Sequence, residues 1–175
     1  MISLVGGRGS GKSTVGRLLA DRLGWPFADS DSLCVEAAGR SVADIFASDG
    51  ESAFRRLEED VLAGLLGDGV DRVVATGGGA VLSPATRRRL VAAGPVVWLT
   101  AAAETLAERV AADSAAANVR PSLTGNDPAA EMAEVLASRR PLYQQVATIT
   151  EPVEDRTPSE IAESIAARCL AGGDA

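Results

Sequence analysis

Short apolar runs recur along the chain, and between them lie stretches whose apolar residues return at helical spacing. The runs Ile2–Val5, Pro26–Asp29, Val73–Thr76, Val96–Leu99 and Ala147–Thr150 are brief and mostly β-branched, as strands buried on both faces are. Strands alternating with helices predict an α/β fold: three α/β/α layers around a five-stranded parallel sheet.

The helical stretches carry start signals. Lys12–Leu23 follows a glycine-rich loop, and in Glu51–Leu66 the spacing of Phe54, Leu57, Val61 and Leu65 predicts one apolar face. Ser83-Pro84 and Asp127-Pro128 each read as an N-cap followed by proline at the first helical position. Thr157-Pro158-Ser159-Glu160 adds a capping box and starts a final helix to about Leu170. Asp113–Asn126 is Ala-rich, dotted with polar residues and without period, which predicts a mobile loop. With no repeat and no linker, residues 1–175 are expected to form one domain.

Composition narrows the function. An apolar share of 46% over 175 residues excludes disorder and allows a sizeable core. No run approaches the ~18 apolar residues of a membrane span, and no basic stretch precedes the first apolar run as in a signal peptide. Cys34 and Cys169 belong to no metal-type cluster, so a reduced, cytoplasmic setting is expected. A net charge of −7 and few aromatic residues argue against nucleic acid as a partner. Anionic substrates then need positive charge concentrated locally. The absence of histidine excludes Ser-His-Asp and Cys-His catalysis and leaves a carboxylate as the natural general base. Among the 17 basic side chains Lys12 is the lone lysine, and it sits in the glycine-rich loop. A β/γ-phosphate clamp uses a compact ammonium, and a guanidinium fork does not fit there.

That loop, Gly6-Gly7-Arg8-Gly9-Ser10-Gly11-Lys12-Ser13 with Thr14 after it, fits the P-loop pattern between a strand and a helix. Its glycines let the backbone N–H groups of Gly9, Ser10 and Gly11 turn inward as an anion nest at a helix N-terminus. The pattern predicts Lys12 bridging the β- and γ-phosphates of a nucleoside triphosphate and the Ser13 hydroxyl on Mg²⁺. The fold expected is therefore of the P-loop NTPase type. Asp29 and Asp31 end the second strand, where ligands of open α/β sheets bind. One carboxylate can hold Mg²⁺ through water and the other can face an acceptor hydroxyl. Equally, this stretch can cap the next helix, a role that suits Ser30 or Asp31. Arg55 and Glu58 are i, i+3 neighbours able to pair, or else part of a solvated face. Gly77-Gly78-Gly79 ends the third strand and lets a ligand approach bare backbone, or serves only as a turn. Arg87-Arg88-Arg89 reads as solvated.

In order and over nearly the whole chain, these pieces resemble shikimate kinases. The family pattern of a P-loop with Ser-Thr, Asp-x-Asp, Gly-x-Ser-(hydrophobic)-x-x-(hydrophobic)-Phe, Gly-Glu-x-x-Phe-Arg-x-x-Glu, Gly-Gly-Gly, Arg-Pro and Arg-x-Pro-Leu-Tyr is matched here. Gly39 to Phe46, Gly50 to Glu58, Arg120-Pro121 and Arg139 to Tyr143 supply its less common parts. The resemblance implies transfer of the γ-phosphoryl of ATP to the 3-hydroxyl of shikimate with Mg²⁺, a step of aromatic amino-acid (chorismate) biosynthesis. It implies that Asp29 holds Mg²⁺ through water and that Asp31 contacts the shikimate hydroxyls and acts as base. Arg55 and Arg139 match the pair that binds the shikimate carboxylate, with the backbone of Gly77, Gly78 and Gly79 nearby and Glu58 orienting Arg55. Arg120 matches a phosphate-reaching arginine of a lid, about 113–126, while Arg109 and Pro158 match residues that flank adenine. The chain departs from the family at Gly7-Arg8, where an apolar pair is usual, at Arg120–Leu123, where Arg-Pro-Leu-Leu is usual, and in a long Ala-rich lid.

The competing readings are another P-loop small-molecule kinase (for gluconate or a nucleoside monophosphate), a GTPase-type switch, and a binding module without catalysis. The Gly-Gly-Gly turn with Arg55 and Arg139 favours a cyclic carboxylate over the first. A chain with one lysine cannot build the Asn-Lys-x-Asp motif of the second. Lys12, Asp29 and Asp31 argue against the third. Nothing in the pattern calls for an oligomer, so a monomer is expected.

Overall fold

The computed structural model describes residues 1–112 and 128–171. Its elements are β1 (Ile2–Val5), α1 (Lys12–Leu23), β2 (Phe27–Asp29), α2 (Ser30–Ala38), α3 (Val42–Asp49), α4 (Glu51–Gly67), β3 (Val73–Ala75), a 3-10 turn (Ala80–Leu82), α5 (Pro84–Ala93), β4 (Val96–Thr100), α6 (Ala103–Ala112), α7 (Pro128–Val146), β5 (Ile149–Pro152) and α8 (Pro158–Ala171). The hydrophobic pattern predicts none of α2, α3 and α6.

Among the described residues the strands form one parallel sheet in the order β2-β3-β1-β4-β5. Leu4 of the central β1 stands opposite Ala75 of β3 and Val97 of β4. Side chains alternate across the sheet, and this sorts the core into two faces. Ile2, Leu4, Val73, Val97 and Leu99 pack with Val15 and Leu19 of α1 and Ile161 and Ile165 of α8. Val5, Val74 and Val96 face the other way, onto Leu62 and Leu66 of α4, Leu90 of α5 and Tyr143 and Val146 of α7. Both faces are covered, as a parallel sheet requires, and each fully buried leucine or isoleucine contributes roughly 2 kcal/mol of transfer free energy. A separate cluster of Cys34, Val42, Ile45 and Phe54 joins α2, α3 and α4.

The caps follow the sequence signals. Gly11 precedes α1 at φ 85°, the Ser83 Oγ accepts from Thr86 N–H at 3.2 Å, and Thr157 and Glu160 cap each other at 2.7 and 3.3 Å. Asp127 lies outside the described residues, and α7 begins at Pro128.

Three expectations need correction. The buried row of α4 is Phe54, Glu58, Leu62 and Leu66, so a glutamate replaces a leucine in it, and Leu57, Val61 and Leu65 flank the row half-buried. β5 begins at Ile149 because α7 runs on: Ala147 N–H still donates to Tyr143 O at 3.0 Å, and only then does Thr148 N–H reach Val96 O at 2.9 Å. Arg87 is half-buried instead of solvated, with Nη1 donating to Val81 O at 2.6 Å.

Candidate active site

The site collects at the carboxyl ends of the strands. After β1 the backbone turns through Gly9 and Gly11, at φ 79° and 85°, a left-handed conformation that residues with side chains rarely adopt. The turn delivers the N-terminus of α1 to the cleft. Ser10 is buried and its Oγ donates to Gly7 O at 2.8 Å. The Lys12 ammonium lies back across the loop, donating to Gly6 O at 3.1 Å, Gly7 O at 2.8 Å and Ser10 Oγ at 3.4 Å. These are neutral acceptors, which a phosphate oxygen would replace with a stronger, charge-assisted bond.

Asp29 takes the capping role that the sequence offered to its neighbours. It is itself the N-cap of α2: its Oδ1 accepts from Asp31 N–H at 3.0 Å and Ser32 N–H at 3.3 Å. Its Oδ2 accepts from the Ser13 hydroxyl at 2.5 Å. The cap is therefore neither Ser30 nor Asp31, and Ser30 instead accepts from Gly77 N–H at 2.9 Å. Capping fixes the Asp29 carboxylate beside Ser13, and Asp31 borders the cleft.

On the far side of Asp31, the glycine turn after β3 is crowded by charge. A methyl group on Gly77 would stand 2.6 Å from Asp31 Oδ1 and overlap Glu58, and one on Gly79 would fall on the Arg55 guanidinium. One on Gly78 would stand 3.8 Å from Arg139 Nη1. Thus Asp31, Arg55, Glu58 and Arg139 converge on three glycines, of which Gly77 and Gly79 leave a side chain no room while a methyl on Gly78 would meet only ordinary contacts. Arg55 is held by Glu58 at 2.7 Å and Glu51 at 3.0 Å. Burial lowers the Arg55 pKa, but Glu58 and Glu51 outweigh it and raise it, so the cation is permanent. Tyr143, one turn after Arg139 on α7, is buried and stacks on Trp98. Its hydroxyl donates to Gly78 O at 2.6 Å. Burial pushes the phenol pKa up, so it remains a donor.

A cleft of about 570 Å³ runs from Asp29, Asp31 and Gly78 past the P-loop to Arg109, Arg156 and Pro158. Arg109 donates to Val153 O at 3.0 Å, which ties α6 to the chain after β5.

A family model described as shikimate kinase matches residues 8–170. This chain belongs to the shikimate kinase family. The shikimate kinase of Symbiobacterium thermophilum is 46% identical over 164 residues, 94% of this chain and 92% of that protein. That of Thermobifida fusca is 46% identical over 171 residues, covering 98% and 95%. Among solved structures, shikimate kinase from Acinetobacter baumannii in complex with shikimate matches at TM-score 0.92 and 35% identity, over 99% of this chain and 94% of that one. The family carries ATP-dependent kinase activity, and the five-stranded P-loop fold expected from the sequence is the one found.

Within this shikimate kinase fold, the cleft is bordered by Gly9, Ser10, Gly11, Lys12, Ser13 and Thr14, by Asp29, Asp31 and Gly78, and at its other end by Arg109 and Pro158. Arg55, Glu58, Gly77, Gly79 and Arg139 gather around the glycine turn. Arg120 and the segment 113–126 lie outside the described residues. Sequence reasoning missed three residues. Glu51 shares Arg55 with Glu58, and the i, i+4 spacing was there to read. Tyr143 was part of a motif without a task. Arg156 borders the cleft just ahead of the Thr157 capping box but belongs to no motif read for function.

Proposed function

We propose that this chain transfers the γ-phosphoryl group of ATP to the 3-hydroxyl of shikimate, giving shikimate 3-phosphate and ADP. The observation that carries the reading is the approach of Arg55 and Arg139 to one glycine turn, next to Asp31 and across from the P-loop. Two arginines can grip one carboxylate bidentately and so fix which hydroxyl faces the γ-phosphate. Gluconate offers such a pair of arginines a carboxylate on an open chain, with no rigid ring to orient, and a nucleoside monophosphate offers a phosphate in place of the carboxylate.

The steps follow from positions. The nest of Gly9, Ser10 and Gly11 with Lys12 and Thr14 binds the phosphates, and Lys12 moves from its carbonyl partners to the β/γ-oxygens. Asp31 receives or steers the proton of the attacking hydroxyl. Glu58 holds Arg55 to the carboxylate, and Arg139 closes on it from α7. Arg109 and Pro158 flank the adenine. Arg120, outside the described residues, is assigned to the phosphates by the family resemblance alone.

Mg²⁺ fits the residues present. Ser13 and Asp29 offer hard oxygens 2.5 Å apart at the phosphate end, and no cluster of three or more ligating side chains occurs among the described residues. That suits an ion that keeps several waters and binds one or two protein oxygens plus phosphate. When bound, it neutralises charge on the β- and γ-phosphates. We further propose one domain acting as a cytoplasmic monomer, with no nucleic-acid or membrane partner. The absence of a disulfide at Cys34 and Cys169 and the acidic net charge support this.

The test is ADP release from ATP-Mg²⁺ with and without shikimate. A strong shikimate dependence is expected, and equal rates would overturn the proposal.

A further inference from the structure

Glu151 is charged, buried (2% exposed) and without a part in the proposed reaction. It sits on β5, the strand nearest the Arg109–Arg156–Pro158 end of the cleft in sequence. A buried carboxylate is costly unless both oxygens are satisfied. Here each has its own arginine: Oε1 accepts from Arg156 Nη1 at 2.5 Å and Oε2 from Arg168 Nη1 at 2.8 Å. Burial pushes the Glu151 carboxyl up, yet Arg156, Ser164 and Arg168 outweigh it and hold it below its ordinary value.

The two arginines lead to different places. Arg168 is exposed near the end of α8, donates also to Thr150 O at 3.1 Å, and does not border the cleft. Arg156 does border it. Besides Glu151, Arg156 donates from Nη1 to Pro152 O at 3.3 Å and from Nη2 to Glu160 O at 3.1 Å. These three bonds use both Nη1 hydrogens and one of Nη2, and fix the guanidinium plane. Among the described residues, the Nε–H, the second Nη2–H and the flat face stay uncommitted. An arginine left free on this loop would lose much rotamer freedom on meeting a ligand, whereas one already fixed loses little.

We propose that Glu151 is a positioning residue for the nucleotide: by holding Arg156 it presets the wall of the cleft that the base end of ATP meets. The inference rests on the kinase reading above. The alternative role for the same contacts is purely structural, tying α8 to β5, and the two arginines separate the possibilities.

The experiment titrates ADP and shikimate separately by calorimetry into the parent and four variants, Glu151→Gln, Arg156→Met, the double variant and Arg168→Met, with a thermal melt of each. Glu151→Gln is expected to weaken ADP about tenfold, and the double variant to bind ADP no more weakly than Arg156→Met alone. Shikimate affinity should stay within about twofold throughout, on the rule that sites without shared partners act independently. Arg168→Met should lower the melting temperature and leave ADP affinity within about twofold, because it removes the α8 tie without touching Arg156. Unchanged ADP affinity in Glu151→Gln, additive losses in the double variant, or an equal ADP loss in Arg168→Met would overturn the inference. Should Glu151→Gln fail to fold, Glu151→Asp, which keeps the charge and shortens the reach, carries the same comparison. A parent that binds both ligands but does not phosphorylate shikimate overturns the kinase reading instead.

Discussion

Lys12 is the residue on which composition and geometry agree most closely. It is the lone lysine of the chain, and its ammonium already lies among the carbonyls of the nest. Lys12→Arg keeps the charge but replaces a compact donor with a planar fork, so kcat should fall nearly as far as in Lys12→Ala, with the melting temperature little changed. Steady-state kinetics beside a thermal melt checks this, and an active arginine variant would remove the geometric argument. Asp31 was legible as a candidate but not as a winner over helix capping. The structure gives the cap to Asp29, whose backbone partners are Asp31 N–H and Ser32 N–H. Asp31 borders the cleft, and Asp31→Asn should lower kcat by about 10²- to 10⁴-fold, the usual worth of a general base, with ADP affinity unchanged. A near-normal kcat would return Asp31 to a structural role.

Between elements, the decisive contact is that of α7 with the glycine turn. Pro141 lies inside α7, yet the helix continues and keeps Arg139 and Tyr143 one turn apart. Arg139 faces Gly78, and Tyr143 holds the Gly78 carbonyl. Tyr143→Phe removes one hydrogen bond worth about 1 kcal/mol, so the KM for shikimate should rise about fivefold while the KM for ATP holds. Gly79→Ala should be harsher, because the new methyl falls on the Arg55 guanidinium and displaces the carboxylate grip. A KM for shikimate that survives Gly79→Ala would separate Arg55 from the acceptor. None of this crowding could be read from the sequence, where Gly-Gly-Gly is equally a turn. The apolar face of α4 was misjudged for a related reason. Periodicity ranks Leu57 above Glu58, but Arg55 neutralises Glu58 and lets it enter the buried row. The end of β5 was set two residues early because hydropathy passes over Glu151, whose arginine partners lie on later segments.

For the molecule as a whole, the five strands, the layering and the P-loop were legible because they depend on local chemistry, β-branched runs, glycines and caps, whereas the order of the strands in the sheet was not read. What stayed hidden depends on pairs brought together by the fold, such as Glu151 with Arg156 and Arg168. That cluster should also show in acid stability. Its carboxyl lies below the ordinary value of 4.5 in the folded chain. The stability it contributes is therefore complete above the unfolded carboxylate range and is lost as pH falls through the lower, folded value. Melts below about pH 4.5 should lose stability more steeply for the parent than for Glu151→Gln, on the linkage between protonation and folding. Parallel acid limbs would mean that Glu151 is not held ionised. The net charge of −7 coexists with a cleft lined by Arg8, Lys12, Arg109 and Arg156, so positive charge is concentrated where anionic ligands are proposed to meet. Whether they meet there productively is read most directly by ³¹P NMR of the enzyme with ATP-Mg²⁺ and shikimate. The account predicts one new phosphomonoester, on the 3-hydroxyl of shikimate, formed in step with ADP; inorganic phosphate alone, or phosphate on another hydroxyl, would contradict it.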